Sequence, residues 1–121
     1  MKYLCLIYFE ESELYSRSQA ELDRLMEDHF VYNRDLTASG HLLGTNPLEP
    51  VKATMTVRVR NGQLSAIDGP FVETKEQLCG YYLIEARDLN EAIQVTARNP
   101  AARTGTIEVR PVRDVRARSN A

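Results

Sequence analysis

Residues 3–9 form an unbroken apolar run whose alternation puts Tyr3, Cys5, Ile7 and Phe9 on one side of a strand and Leu4, Leu6 and Tyr8 on the other. A strand that is apolar on both faces lies in the middle of its sheet and needs cover twice. The chain has 121 residues, one domain's worth. So small an α+β domain has too few helices for both sides of a sheet, so the second face is expected to meet another subunit. At seven residues the run is far short of a bilayer span of about 20. Glu10, Glu11 and Glu13 follow it with no small-residue cleavage site, so it reads as neither a membrane span nor a signal peptide.

Ser18 and Glu21 have capping-box spacing and open a helix. Leu22, Leu25, Met26, His29, Tyr32, Asn33 and Leu36 recur at three- and four-residue steps along it. Gly40 ends it, after about 20 residues or roughly 30 Å. Residues 41–43 suggest a short strand, and a breaker-rich segment runs to Pro50. Residues 53–60 then alternate, with Met55, Val57 and Val59 opposed to Thr54, Thr56, Arg58 and Arg60. Asn61-Gly62 is a two-residue hairpin turn, residues 63–68 return, and Gly69-Pro70 breaks the strand. Residues 71–79 read as a loop or one helical turn, and 80–86 as a strand. Asp88 and Glu91 box the start of a second helix with an apolar stripe of Leu89, Ala92, Ile93 and Ala97, which Asn99-Pro100 stops. Residues 106–112 form a last strand with Ile107 and Val109 to one side. The order is that of an α+β, ferredoxin-like βαββαβ domain with an inserted β-hairpin. The domain is expected over 1–113, with 114–121 a C-terminal tail.

Hydrophobic residues make up 43% of the chain and charged ones 26%, ordinary for a globular protein. The net charge of −2 combines −5 over residues 1–50, zero over 51–100 and +3 over 101–121. That balance argues against a nucleic-acid partner, which calls for a basic face. Arg110, Arg113, Arg116 and Arg118 near the end are read as a solvated terminus. Cys5 and Cys79 are far apart and in no metal spacing, so reduced thiols and a cytoplasmic location are expected. No metal cluster, phosphate-binding glycine loop, nucleophile elbow or dinucleotide fingerprint is present, and no cofactor is expected.

The stretch Asp68-Gly69-Pro70-Phe71-Val72-Glu73-Thr74-Lys75-Glu76-Gln77-Leu78 resembles the signature of the YCII-related, DGPF-motif proteins. Residues 80–92, Asn99-Pro100-Ala101-Ala102-Arg103, residues 107–112 and the opening eight residues are similar too, so the resemblance covers almost the whole chain. Cys79 departs from it, where the motif more often has glycine. The resemblance implies a dimeric α+β barrel, hence a homodimer. In the wider group, some relatives are linked to dehydrochlorination of aromatic substrates, with a His–Asp pair proposed as active site. Some members accompany, or are fused to, alternative sigma factors.

His29 is the sharpest chemical signal, because imidazole titrates near neutrality and a helix can aim it into a cleft. The competing reading is a core histidine with both nitrogens hydrogen-bonded. Asp68, at a strand end before Gly69-Pro70, is the candidate acid that orients His29; the competing reading is a turn aspartate bonded to its own backbone. Glu73 and Lys75 point the same way in an extended loop and suit a polar ligand, against a plain surface ion pair. Arg58 suits a carboxylate, against an exposed edge arginine. Tyr81 and Tyr82 face opposite ways, one for the core and one for a cavity; sequence leaves open which is which. His41 is expected at the surface. The combined expectation is a homodimer binding a small polar or aromatic molecule, either a cofactor-free proton-transfer enzyme (elimination, isomerisation or hydrolysis) or a non-catalytic ligand-binding module associated with a sigma factor.

Overall fold

The computed structural model describes residues 1–116; the remainder of the expected tail, Arg118 included, lies outside the described residues. The elements are β1 (Lys2–Phe9), α1 (Glu11–Leu14), α2 (Gln19–Ala38), β2 (Leu42–Pro47), β3 (Met55–Arg60), β4 (Gln63–Asp68), β5 (Gln77–Glu85), α3 (Leu89–Ala97) and β6 (Thr106–Pro111), with short 3-10 turns at Val51–Ala53 and Pro100–Arg103. One antiparallel sheet has the order β2-β5-β1-β6, and β3-β4 forms a separate two-stranded ribbon. This is the ferredoxin-like plan with the hairpin set between its second and third strands. No helix among the described residues is long and apolar enough to cross a membrane.

β1 lies inside the sheet, and its two faces differ. Tyr3, Cys5, Ile7 and Phe9 are buried under the helices together with Tyr82 and Ile84 of β5 and Ala92 and Val95 of α3. Leu4, Leu6 and Tyr8, with Tyr81 and Leu83 of β5, are half-buried on the opposite face, away from α2 and α3. Ile107 and Val109 pack against the core from β6, while Glu108 and Arg110 face away.

The caps form as the spacing predicts. Ser18 Oγ accepts from Glu21 N at 3.2 Å, and Asp88 Oδ1 accepts from Glu91 N at 2.9 Å. Gly40 has φ +79°, and Asn61 and Gly62 have φ +52° and +75°, the two positive values of a type I′ turn.

Other expectations are corrected. The buried side of α3 is Ala92, Val95 and Thr96, whereas Leu89, Ile93 and Ala97 are exposed. Met26 of α2 is exposed, as are Phe30 and Val31. β2 extends to Pro47, and β5 begins at Gln77 rather than at residue 80. His41 is half-buried, its Nδ1 2.9 Å from Glu85 O and 3.9 Å from Glu91 Oε1. α1 was not foreseen. It is fastened by long-range contacts: Glu11 N donates to Gln77 Oε1 and Val51 N donates to Glu11 Oε1, both at 2.9 Å.

β5 carries a bulge. Ile7 lies opposite Gly80 but Tyr8 opposite Leu78, so Cys79 is the extra residue. Cys79 does not have positive φ, so the bulge takes a residue with a side chain without backbone strain. Gly105 is the tightest glycine position: a Cβ there would lie 2.5 Å from Tyr8 O and 2.9 Å from Phe9 Cε1. Gly105→Ala is expected to cost about 1–3 kcal/mol through overpacking. Gly44, with nothing within 4 Å of an added Cβ, should tolerate alanine within about 0.5 kcal/mol; urea unfolding of the two variants measures the contrast.

Candidate functional site

Residues 22, 25, 29, 32 and 36 run down one stripe of α2, and residues 26, 30 and 33 run beside it. Tyr32 and Leu36 anchor the first stripe in the core, and the Tyr32 hydroxyl donates to Val95 O at 2.9 Å. Met26 and Phe30 of the second stripe are 58% and 63% exposed. His29 is half-buried on the border between them.

Its Nδ1 lies 3.0 Å from Tyr82 Oη, and the Tyr82 hydroxyl in turn donates to Asn33 Oδ1. A phenol has one proton, and here it goes to Asn33, so the bond to His29 requires the proton of Nδ1. The other ring nitrogen, Nε2, then carries the lone pair. Among the described residues it has no protein partner, and because no buried side-chain nitrogen or oxygen there lacks one, Nε2 reaches the surface. The histidine and tyrosine rings are stacked at 6.2 Å and 24°, and Tyr32 meets Tyr82 edge-on at 5.4 Å.

Burial holds His29 below its usual 6.5, with the Asp28 carboxylate opposing and Arg103 reinforcing that shift. Arg103 is drawn to Asp28 at 3.1 Å, which leaves the helix face by His29 close to charge balance. Burial pushes the Tyr82 phenol above its usual 10, against its contacts with Thr45 and Asn33. At neutral pH the trio is therefore an uncharged imidazole, a protonated phenol and an amide. Burial also raises both Cys5 and Cys79 above their usual 9.0, which keeps them as thiols.

The other residues singled out in the sequence lie elsewhere. Tyr82 is the core tyrosine. Tyr81 is on the open face of the sheet, and its hydroxyl accepts from Asn46 Nδ2 at 2.8 Å. Asp68 closes β4 opposite Met55; it is exposed and, among the described residues, its carboxylate makes no hydrogen bond or ion pair, to His29 or to any other group. Glu73 and Lys75 are exposed and form no ion pair with each other. Arg58 and Glu73 do share a surface: both line an open cleft of about 1210 Å³ between the β3-β4 ribbon, the 70–74 loop and the sheet end at Tyr8 and Leu78. Tyr8 and Leu78 belong to the face away from the helices, so the cleft and His29 lie on opposite sides of the sheet. His29, Asp68, Lys75, Tyr81 and Tyr82 are not among its walls. Asn33 is the site residue that sequence reasoning did not single out, although its position one turn beyond His29 was visible.

A four-stranded antiparallel sheet, two main helices on one face, an inserted ribbon and a helix-borne histidine define a ferredoxin-like α+β domain with an open cleft on the face away from the helices. The chain belongs to the YCII-related domain family, whose model matches residues 1–116. It is similar to an uncharacterised protein of Rhizobium meliloti, with 39% identity over 116 residues, covering 93% of this chain and 92% of that one.

The lowered His29 value has a signed consequence for stability. In the unfolded chain the ring takes a proton near 6.5, and in the folded chain only at lower pH. Around and below 6.5 the unfolded state therefore binds more protons, and stability declines as pH falls towards the folded value; well above 6.5 the His29 slope fades away. Urea midpoints measured from about pH 5 to 8 are expected to show this decline, and His29→Gln should flatten it.

Proposed function

We propose that this YCII-related protein is a homodimer that binds a small polar or aromatic molecule and moves a proton on it without a cofactor, with His29 as the general base. The carrying observation is the Asn33–Tyr82–His29 chain, which directs a neutral imidazole to present Nε2. Histidine at such a position is matched to proton transfer near neutral pH. In an elimination, Nε2 takes the proton from carbon, the C–H electron pair becomes the new double bond, and the leaving group departs with its own pair. Met26 and Phe30 beside His29 supply apolar surface for an aromatic body.

Tyr82 and Asn33 are positioning residues in this reading, in the place that the sequence assigned to Asp68. Roles for Asp68, Glu73, Lys75 and Tyr81 draw no support from the surroundings of His29; Arg58 and Glu73 belong with the cleft. The homodimer rests on the open sheet face, where Leu4, Leu6, Tyr8 and Leu83 stay only half-buried. Two unpaired cysteines fit a reducing, cytoplasmic setting.

Long-range proton–nitrogen NMR of the imidazole tests the arrangement. The expected result at neutral pH is the Nδ1–H tautomer in the native protein and a return to Nε2–H in Tyr82→Phe. Solvent-deuterium incorporation into a panel of small aromatic and cyclic carbonyl compounds tests the chemistry: exchange should be lost in His29→Ala by about a hundredfold or more. An Nε2–H tautomer in the native protein, or exchange that survives His29→Ala, refutes the assignment. The second reading is a non-catalytic ligand-binding module of the kind associated with a sigma factor. The cleft favours it, because its walls lack His29. Saturable ligand binding without any exchange would select it.

A further inference from the structure

The DGPF segment is shaped by its attachment to β3. Gly69, at φ +95°, turns the chain; its N–H donates to Thr54 O at 2.8 Å and its carbonyl accepts from Thr56 Oγ1 at 2.7 Å. These bonds set Pro70 and Phe71 against the ribbon. Phe71 is not buried there. It is 74% exposed, with the Arg58 guanidinium 5.7 Å from its ring centroid.

Lys52, Arg58 and Arg60 line the same cleft, and none of the three has a carboxylate partner among the described residues. The lining acids are Glu49 and Glu73, so a chain of net charge −2 carries a cleft of net +1 (three cations, two anions). Cations left unpaired along a concave wall repel one another, and an anion placed between them removes that cost. Beside the polar Thr54, Thr56, Thr74 and Gln77, the wall has an apolar stretch that includes Tyr8, Leu78, Leu48, Val57 and Pro70. Exposed apolar surface next to unpaired cations matches a ligand with a flat hydrocarbon body and a negative end.

We propose that the cleft between the β3-β4 ribbon and the open face of the sheet binds a planar aryl carboxylate. The ring lies against Phe71 and the apolar wall, and the carboxylate takes a forked pair of hydrogen bonds from Arg58, with Lys52 and Arg60 adding field. The site is independent of His29, which lies across the sheet.

The probe is 2-naphthoate, followed by amide shifts in the full-length protein, with uncharged 2-naphthamide as control. Saturable shifts are expected at Thr56, Arg58 and Phe71. Affinity should fall about tenfold or more for 2-naphthamide and for Arg58→Gln, less for Arg58→Lys, and should weaken with added salt. Arg58 is exposed, so Arg58→Gln should melt like the native protein; the melting curve checks this. His29→Ala should leave naphthoate binding unchanged, which separates this site from the proton-transfer reading. Three results would each overturn the proposal: no saturable shifts in the cleft, equal binding of the amide, or an Arg58→Gln variant that binds as well as the native chain. A cleft sealed by a second copy would give the first of these.

Discussion

β1 exchanges backbone hydrogen bonds with β5 along one edge and with β6 along the other, and its side chains divide the molecule into a helix side and an open side. Because the side-chain period is two, this one strand fixes which of Tyr81 and Tyr82 enters the core, and hence which can meet α2. Tyr3, Cys5, Ile7 and Phe9 hold the phase along most of its length. At the far end the bulge at Cys79 resets it for β5, so that Leu78 joins Tyr8 on the open side. A strand slipped by one residue would turn Tyr82 outward and Tyr81 inward, exchanging the phenol that faces α2.

The hydroxyl of Tyr82 is the polar group that this phase carries inward. A buried phenol oxygen needs partners, since leaving one unmade costs on the order of 1–3 kcal/mol. Asn33 and His29, one turn apart on α2, provide an acceptor and a donor. The same requirement that keeps the core satisfied therefore decides the imidazole tautomer. Structure and chemistry share one interaction here: the pairing that lets Tyr82 be buried also turns the free lone pair of His29 to the surface.

Much of the plan was written in local signals. Ser18 and Asp88 announce their helices, because their caps involve neighbours three residues on. Asn61-Gly62 announces its turn, because few other pairs adopt positive φ twice. What was hidden depends on distant parts of the chain. α1 has no apolar period and is held by Gln77 and by the backbone of Val51. The start of β5 at Gln77 follows from pairing with Phe9, whereas Gly80 suggested a later start from composition alone. In α3 the helix turns Ala92, Val95 and Thr96 to the core and leaves Leu89 and Ile93 exposed, an orientation set by its packing on distant strands rather than by its own apolar stripe. His29 was legible as a histidine on an apolar face. Its partner was not, since an acid was the expected companion and a tyrosine from a distant strand occupies that place.

The β3-β4 ribbon shares no strand pairing with the main sheet, and β2 and β5 lie side by side whether it is long or short. Its length, twist and side chains are therefore free to drift without disturbing the scaffold. Among proteins built on this frame, the arm is where changes of length and surface should accumulate, as an attachment that can be reshaped while the body that carries it stays constant.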